Sequence, residues 1–200
     1  MSTWALILVK ARATGKARLA RVLAAEERTR LVCSMLDRVL AAARGCTQLD
    51  AVALMSPERG CVPRDVHLLP DSGADLNNEV VRAVRTLGRR GAHRVAIIPA
   101  DLPLLRSDDI HVLLNASVAS GLALAPDHHQ CGTNAICLRL PTVFRVQFGP
   151  GSFARHVADA ARLGLVPAVV RLPGFAFDVD DPADLIRLTS GIRTCPAQHA

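Results

Sequence analysis

The chain has no tyrosine, one tryptophan and five phenylalanines among its 200 residues. So few rings exclude the aromatic platforms on which single-stranded nucleic acid stacks, and they leave aliphatic side chains to build the core. Lysine is almost as scarce. Lys10 and Lys16 are the only two, and both fall in one segment behind the first apolar run. The six cysteines, at 33, 46, 61, 131, 137 and 195, form no CxxC pair and no zinc-like spacing, which favours reduced thiols over a disulfide framework. Long hydrophobic runs are absent as well. The opening Leu6-Ile7-Leu8-Val9 passes straight into Lys10 and Arg12, too short for a secretory core or a membrane span. The expectation is a cytoplasmic protein with no membrane partner.

Half of the residues are apolar, enough to bury a substantial core in one domain. The net charge of +6 suits an anionic partner, yet the arginines are scattered along the whole chain. No basic run interleaves with aromatics, so nucleic acid is not expected as the partner. The two clustered lysines are the exception to this scatter.

Short aliphatic runs alternate with helical patterns. Strands are expected at Trp4–Val9, Ala51–Met55, Val66–Leu69, Val95–Ile98, Leu122–Ala125, Ala135–Leu138 and Ala168–Leu172. Helices are expected over Glu26–Ala43, from a cap at Asn77 or Asn78 through about Leu87, from a Ser107 cap, from a Ser152 cap to Gly164, and after Pro182. The alternation predicts a single α/β domain over residues 1–190, with a mostly parallel sheet flanked by helices. Residues 191–200 read as a flexible tail.

Two acidic turns stand out. Pro99-Ala100-Asp101-Leu102-Pro103-Leu104 follows a wholly apolar strand, where open α/β sheets bind ligands. Phe177-Asp178-Val179-Asp180-Asp181-Pro182 lies about eighty residues on. Folded together, they offer carboxylates suited to Mg²⁺, which binds carboxylates and substrate phosphates rather than a full protein cage. One of Asp178 and Asp180 is expected to face the metal, and Asp181 to cap the last helix. Anion sites are read at two places. Lys10, Lys16 and Arg18 can clamp a nucleotide triphosphate, although neither GxxxxGK[ST] nor GxGxxG is present. Phe148-Gly149-Pro150-Gly151-Ser152-Phe153 feeds a helix N-terminus, whose free N–H groups and hydroxyl attract anions. Gly132-Thr133-Asn134 adds a compact donor set. Metal, triphosphate and a second anion together point to transfer between a nucleotide and a phosphorylated acceptor.

With these residues in place, the chain resembles the CofC/FbiD family, guanylyltransferases of coenzyme F420 biosynthesis. The carriers are Lys10 with Gly15-Lys16-Ala17-Arg18-Leu19, Glu27-Arg28, Met35-Leu36, Asp75-Leu76-Asn77 and Gly132-Thr133-Asn134-Ala135, beside the two acidic turns and the glycine turn through His156. The resemblance implies a nucleotidyltransferase domain of GT-A-like, Rossmann-like type. It implies GMP transfer from GTP to a small phosphorylated carboxylic acid, namely 2-phospho-L-lactate, phosphoenolpyruvate or 3-phosphoglycerate. Carried over, Asp101, Asp178 and Asp180 hold Mg²⁺, and Thr133, Gly149 and Ser152 hold the acceptor. Lys10, Lys16 and Arg18 hold the GTP phosphates, with Asp101, Lys10 and Lys16 catalytic, and Leu76 and Asn77 lie where the base is read. Ala17 departs from the serine often found there, and Asp75 and Glu79 are unusual at their positions. The rivals are a molybdopterin-type GMP or CMP transferase, disfavoured by the missing LAGG-like loop, and a non-catalytic nucleotide or phosphometabolite binder whose acidic turns only cap helices.

Overall fold

The computed structural model describes residues 1–9, 16–57, 62–72 and 75–190. Lys10 and the 191–200 tail lie outside the described residues. The strands are β1 (Ser2–Leu8), β2 (Ala51–Ser56), β3 (His67–Pro70), β4 (Ala92–Pro99), β5 (Leu122–Pro126), β6 (Thr133–Arg139) and β7 (Ala168–Val169). The helices are α1 (Ala25–Gly45), α2 (Leu76–Arg89), α3 (Ser107–Ser120), α4 (Ser152–Arg162), α5 (Pro173–Ala176) and α6 (Pro182–Thr189), with a 3₁₀ helix at Ala17–Arg21.

One sheet runs in the order β3-β2-β1-β4-β6-β5-β7. Only β6 opposes the rest, pairing antiparallel with both β4 and β5. Side chains alternate across the sheet with the period of two that extended backbone imposes. Ala5 and Ile7 of β1, with Val9 just beyond it, pack toward α1 and α3, in one cluster with Val39, Leu40, Ile110 and Leu113. Trp4, Leu6 and Leu8 face the other way, toward Val80, Val84 and Leu87 of α2 and Ala160 of α4. Both faces are covered, which is why the strands read as unbroken aliphatic runs.

A third, smaller cluster matters more for the site. Leu19 of the 3₁₀ helix, Val32 and Met35 of α1, and Phe177 and Val179 of the second acidic turn pack together. It welds that turn to the segment carrying Lys16.

Several helix starts differ from expectation. Asp75, not Asn77 or Asn78, caps α2, its carboxylate accepting from the Asn78 N–H at 3.0 Å. Ser107 and Ser152 are the first residues of their helices rather than the caps. Arg106 holds the cap position of α3, its N–H donating to Asp109 at 2.9 Å. Gly151 holds that of α4 in a left-handed conformation, φ 70°. Serine at a helix start satisfies two geometries one residue apart, and the sequence does not separate them. Asp181 does cap α6, accepting from the Ala183 and Asp184 N–H groups. The final strand is shorter than expected, although the Val170 N–H still donates to the Leu124 carbonyl at 2.9 Å. No helix among the described residues is long and apolar enough to cross a membrane. Cys33, Cys46, Cys131 and Cys137 are free thiols.

Leu19 is fully buried in the small cluster. Leu19→Ala is therefore expected to cost roughly 2–4 kcal/mol, read as a lower urea midpoint at unchanged slope. A midpoint within error of the wild type would show that the cluster is not a packed unit.

Candidate active site

The sheet order reverses between β1 and β4: β1 is followed by β2 on one side and paired with β4 on the other. Open α/β sheets bind ligands in the crevice at such a switch point, beyond the carboxyl ends of the strands. Leu8 and Pro99 are in register at that end, and the Ala100 N–H donates to the Leu8 carbonyl at 2.9 Å. Asp101 follows immediately, and Lys16 lies beyond β1 on the other side of the crevice.

Lys16 closes the gap. Its Nζ donates to Asp101 Oδ2 at 2.6 Å and to Asp180 Oδ1 at 2.7 Å. Only 7 % of its side chain is exposed, against 47 % for Asp180. Burial works against its charge, but the two carboxylates outweigh that cost and hold its pKa above the ordinary value. The backbone of Lys16 is left-handed, φ 59°, a conformation disfavoured by roughly 1–2 kcal/mol for a side chain with a Cβ. Packing of Leu19 three residues on secures it.

Asp178 completes the acidic group. Burial pushes its carboxyl above the usual range, the negative charge of Asp101 adds to that, and Asp180 contributes further, while a hydrogen bond from Asn134 opposes the rise. Asp178 and Asp180 lie on one side of their segment. Residues two apart in extended chain share a face; Phe177 and Val179 enter the apolar cluster, so both carboxylates turn the other way. Asn134, which the sequence marks only as part of the Gly132-Thr133-Asn134 donor set, pins this segment. Its Nδ2 donates to the Phe175 carbonyl at 2.8 Å and to Asp178 Oδ1 at 3.2 Å.

Among the described residues, no three carboxylate, histidine or cysteine groups form a ready-made metal cage. The donor set nevertheless fits Mg²⁺, which takes one or two carboxylates and completes its shell with water and phosphate. The like-charge repulsion at Asp178 marks a cluster short of positive charge, and Lys16 supplies part of it.

Next to the carboxylates, Thr133 is tied through His156 to the glycine turn before α4. Thr133 and Asn134 are consecutive on β6 and so point to opposite faces, Asn134 to the acidic segment and Thr133 to α4. The Thr133 hydroxyl meets His156 Nδ1 at 2.9 Å. The glycine turn before α4 is held from several sides. Asn77 accepts from the Phe148 N–H at 2.7 Å and donates to the Phe148 carbonyl at 3.2 Å. The Gln147 N–H donates to His156 Nε2 at 2.8 Å. Arg155 donates to the Gln147 and Pro150 carbonyls.

The leading amides of α4 are less open than a bare helix start suggests. Those of Ser152 and Phe153 donate to the Gly149 and Cys131 carbonyls, at 3.0 and 3.1 Å. The Gly149 and Gly151 N–H groups and the Ser152 hydroxyl make no hydrogen bond among the described residues. Both glycines have positive φ, 121° and 70°, where a Cβ is strained.

The remaining candidates are placed less centrally. Arg18 is exposed on the 3₁₀ helix. Leu76 packs on the α2 side of the core, and the side-chain amide of Asn77 is tied to the glycine turn. A groove of about 1200 Å³ runs between α2 and the 138–147 segment. It reaches Asn77 and Gln147 beside the glycine turn and contains none of the carboxylates.

An open sheet with carboxylates and a lysine at its switch point, and hydrogen-bond donors beside them, is the architecture of a nucleotidyltransferase-type α/β protein. Solved structures show the same fold. A putative nucleotide-diphospho-sugar transferase from Desulfovibrio desulfuricans G20 superposes with a TM-score of 0.79 at 18 % identity, covering 97 % of this chain and 90 % of that one. A 4-diphosphocytidyl-2C-methyl-D-erythritol synthase does so at 0.64 and 14 %, covering 95 % and 99 %. The family is more specific than the fold. The family model described as "Guanylyl transferase CofC like" matches residues 3–191, and the chain belongs to that family. A phosphoenolpyruvate guanylyltransferase of Sphaerobacter thermophilus is 43 % identical over 192 residues, covering 94 % of this chain and 93 % of the relative. One of Rubrobacter xylanophilus is 38 % identical over 194 residues, covering 94 % of each.

His156 has no exposed surface. Burial lowers its pKa from 6.5 to about 4, the Arg155 charge adds to the drop and Asp159 opposes it. The unfolded chain takes up the proton first, so this contribution is complete above pH 6.5 and is lost as pH falls toward about 4. At about 1.4 kcal/mol for each pH unit, the full loss is roughly 3 kcal/mol. Urea unfolding at stepped pH should show this slope in the wild type and a flatter one in His156→Gln. Parallel slopes would remove His156 as its source.

Proposed function

We propose that the chain transfers the guanylyl group of GTP to a small phosphorylated carboxylic acid and releases pyrophosphate, as a step of coenzyme F420 biosynthesis. Phosphoenolpyruvate is the first candidate acceptor, with 2-phospho-L-lactate and 3-phosphoglycerate as the others. The observation that carries this reading is the abutment of two sites through Thr133 and Asn134. One is an acidic cluster bridged by a buried lysine; the other is a set of free donors. Membership of a guanylyl transferase family and the names of the two relatives support the nucleotide and the acceptor.

Asp101, Asp178 and Asp180 are the residues to hold Mg²⁺, which when bound neutralises charge on the nucleotide phosphates. The acceptor phosphate is already largely ionised near neutral pH, its second pKa being about 6. One of its oxygens forms a bond to the α-phosphorus of GTP. The bond from that phosphorus to the bridging oxygen breaks, and the electron pair leaves with pyrophosphate. No side chain has to remove a proton. Lys16 faces the developing negative charge from a buried position, where an ammonium acts more strongly than in water. Lys10 and Arg18 add positive charge along the triphosphate. The donors of Thr133, Gly149 and Ser152 hold the acid and fix its approach, so the protein contributes mainly positioning and electrostatics.

Purified protein with Mg²⁺, GTP and each acid in turn should release pyrophosphate and yield a guanosine-diphospho product of matching mass, with CTP and ATP inactive. Asp101→Asn should lower turnover by roughly a hundredfold or more in protein that is still folded; near-normal turnover would take Asp101 out of the reaction. Asn77→Ala distinguishes two roles. A raised acceptor KM at constant GTP KM is expected from its hold on the glycine turn, whereas the reverse pattern would assign it to the base.

A further inference from the structure

His156 joins Thr133 to the glycine turn before α4. It lies one helical turn beyond Ser152 on α4, between the rings of Phe144 and Phe148, with centroids at 5.7 and 5.8 Å. One ring nitrogen meets a backbone amide and the other a hydroxyl. That asymmetry assigns the proton. A backbone N–H can only donate, so Nε2, which receives the Gln147 N–H at 2.8 Å, carries the lone pair. The ring hydrogen of the neutral imidazole is then on Nδ1 and donates to Thr133 Oγ1 at 2.9 Å.

The consequence falls on Thr133. Its oxygen accepts from the ring, so its own hydrogen must point elsewhere, and no described residue accepts it. With the opposite tautomer, Nδ1 would accept that hydrogen and the hydroxyl would be spent inside the protein. Thr133 is 5 % exposed, and a buried hydroxyl hydrogen without an acceptor is costly unless a ligand takes it.

We propose that His156 is a positioning residue for the acceptor acid: its ring orients the Thr133 hydroxyl as a donor toward the acid, alongside the free donors of Gly149, Gly151 and Ser152. The inference rests on the guanylyl-transfer reading and extends it to a residue that touches neither substrate. The amide that sets the tautomer belongs to Gln147, two residues before Gly149, so the turn that contacts the acid also sets the direction of the hydroxyl opposite. A phosphorylated carboxylate, which only accepts hydrogen bonds when ionised, matches a set of free groups that all donate.

Steady-state kinetics with GTP and phosphoenolpyruvate test this. Thr133→Val is expected to raise the acceptor KM about tenfold or more, the loss of a hydrogen bond to a charged group, with GTP KM unchanged. Thr133→Ser should stay near the wild type. His156→Gln keeps an acceptor for the Gln147 N–H but loses the Nδ1 donor, so it should raise the acceptor KM as Thr133→Val does. The double variant should be no worse than either single one. Equal rises in both KM values, or effects that multiply in the double variant, would mean that His156 only supports the fold and would overturn the proposal. The ¹⁵N resonances of the histidine ring in the wild-type protein give a reading that needs no variant. A protonated Nδ1 and bare Nε2 are expected, and a protonated Nε2 overturns the relay. Wild-type protein that makes no product from GTP with phosphoenolpyruvate, 2-phospho-L-lactate or 3-phosphoglycerate would overturn the guanylyl-transfer reading along with the relay's ligand. Turnover with an unchanged acceptor KM in His156→Gln would overturn the relay alone.

Discussion

Carboxylates gathered at one end of a sheet repel one another, and the site depends on how that repulsion is contained. Lys16 lies between Asp101 and Asp180, close enough to hydrogen-bond both, and Asp178 lies within their field. A single buried ammonium cannot balance all of this charge, so the cluster retains an affinity for further positive charge. The apolar contacts of Leu19, Phe177 and Val179 hold the arrangement from behind. Burial of hydrophobic surface thus offsets electrostatic cost a few ångströms away.

The strand order does the rest. Because β1 and β4 are adjacent and parallel while their chain connections lead to strands on opposite sides, the switch point falls between their carboxyl ends. Reversal of β6 then brings its first residues, Thr133 and Asn134, to the same end of the sheet. A parallel strand in that place would deliver its last residues instead. Consecutive residues of one strand therefore serve two adjoining sites, one facing the carboxylates and one facing α4.

The group around Thr133 and the glycine turn is built on a different principle. Charge is scarce there, and direction matters more. Asn77, His156 and Arg155 secure the backbone of residues 147–150, and Gly149 and Gly151 take the positive φ of the turn. A set of fixed dipoles requires little reorganisation when an anion binds, which is the general source of electrostatic preorganisation.

Much of this was legible in the residues. The aliphatic runs mark the strands because both sheet faces are covered. Asp101 stands out because a carboxylate after a wholly apolar strand has few structural reasons to be there. The short motifs, taken in order, point to the family. Other features needed the folded chain. That Asp178 and Asp180 share a side follows from the period of two, but which side they take is set by the burial of Phe177 and Val179 against Leu19, a long-range contact. The Asn134 bond to Asp178 spans forty-four residues, and the hold of Asn77 on Phe148 spans seventy-one. The sequence by itself determined which segments are strands and helices and which residue types carry the chemistry, since those depend on local periodicity and side-chain identity. The folded chain decided which way the carboxylates turn, which amides stay free and which histidine nitrogen bears the proton, because each depends on partners brought together by strand order.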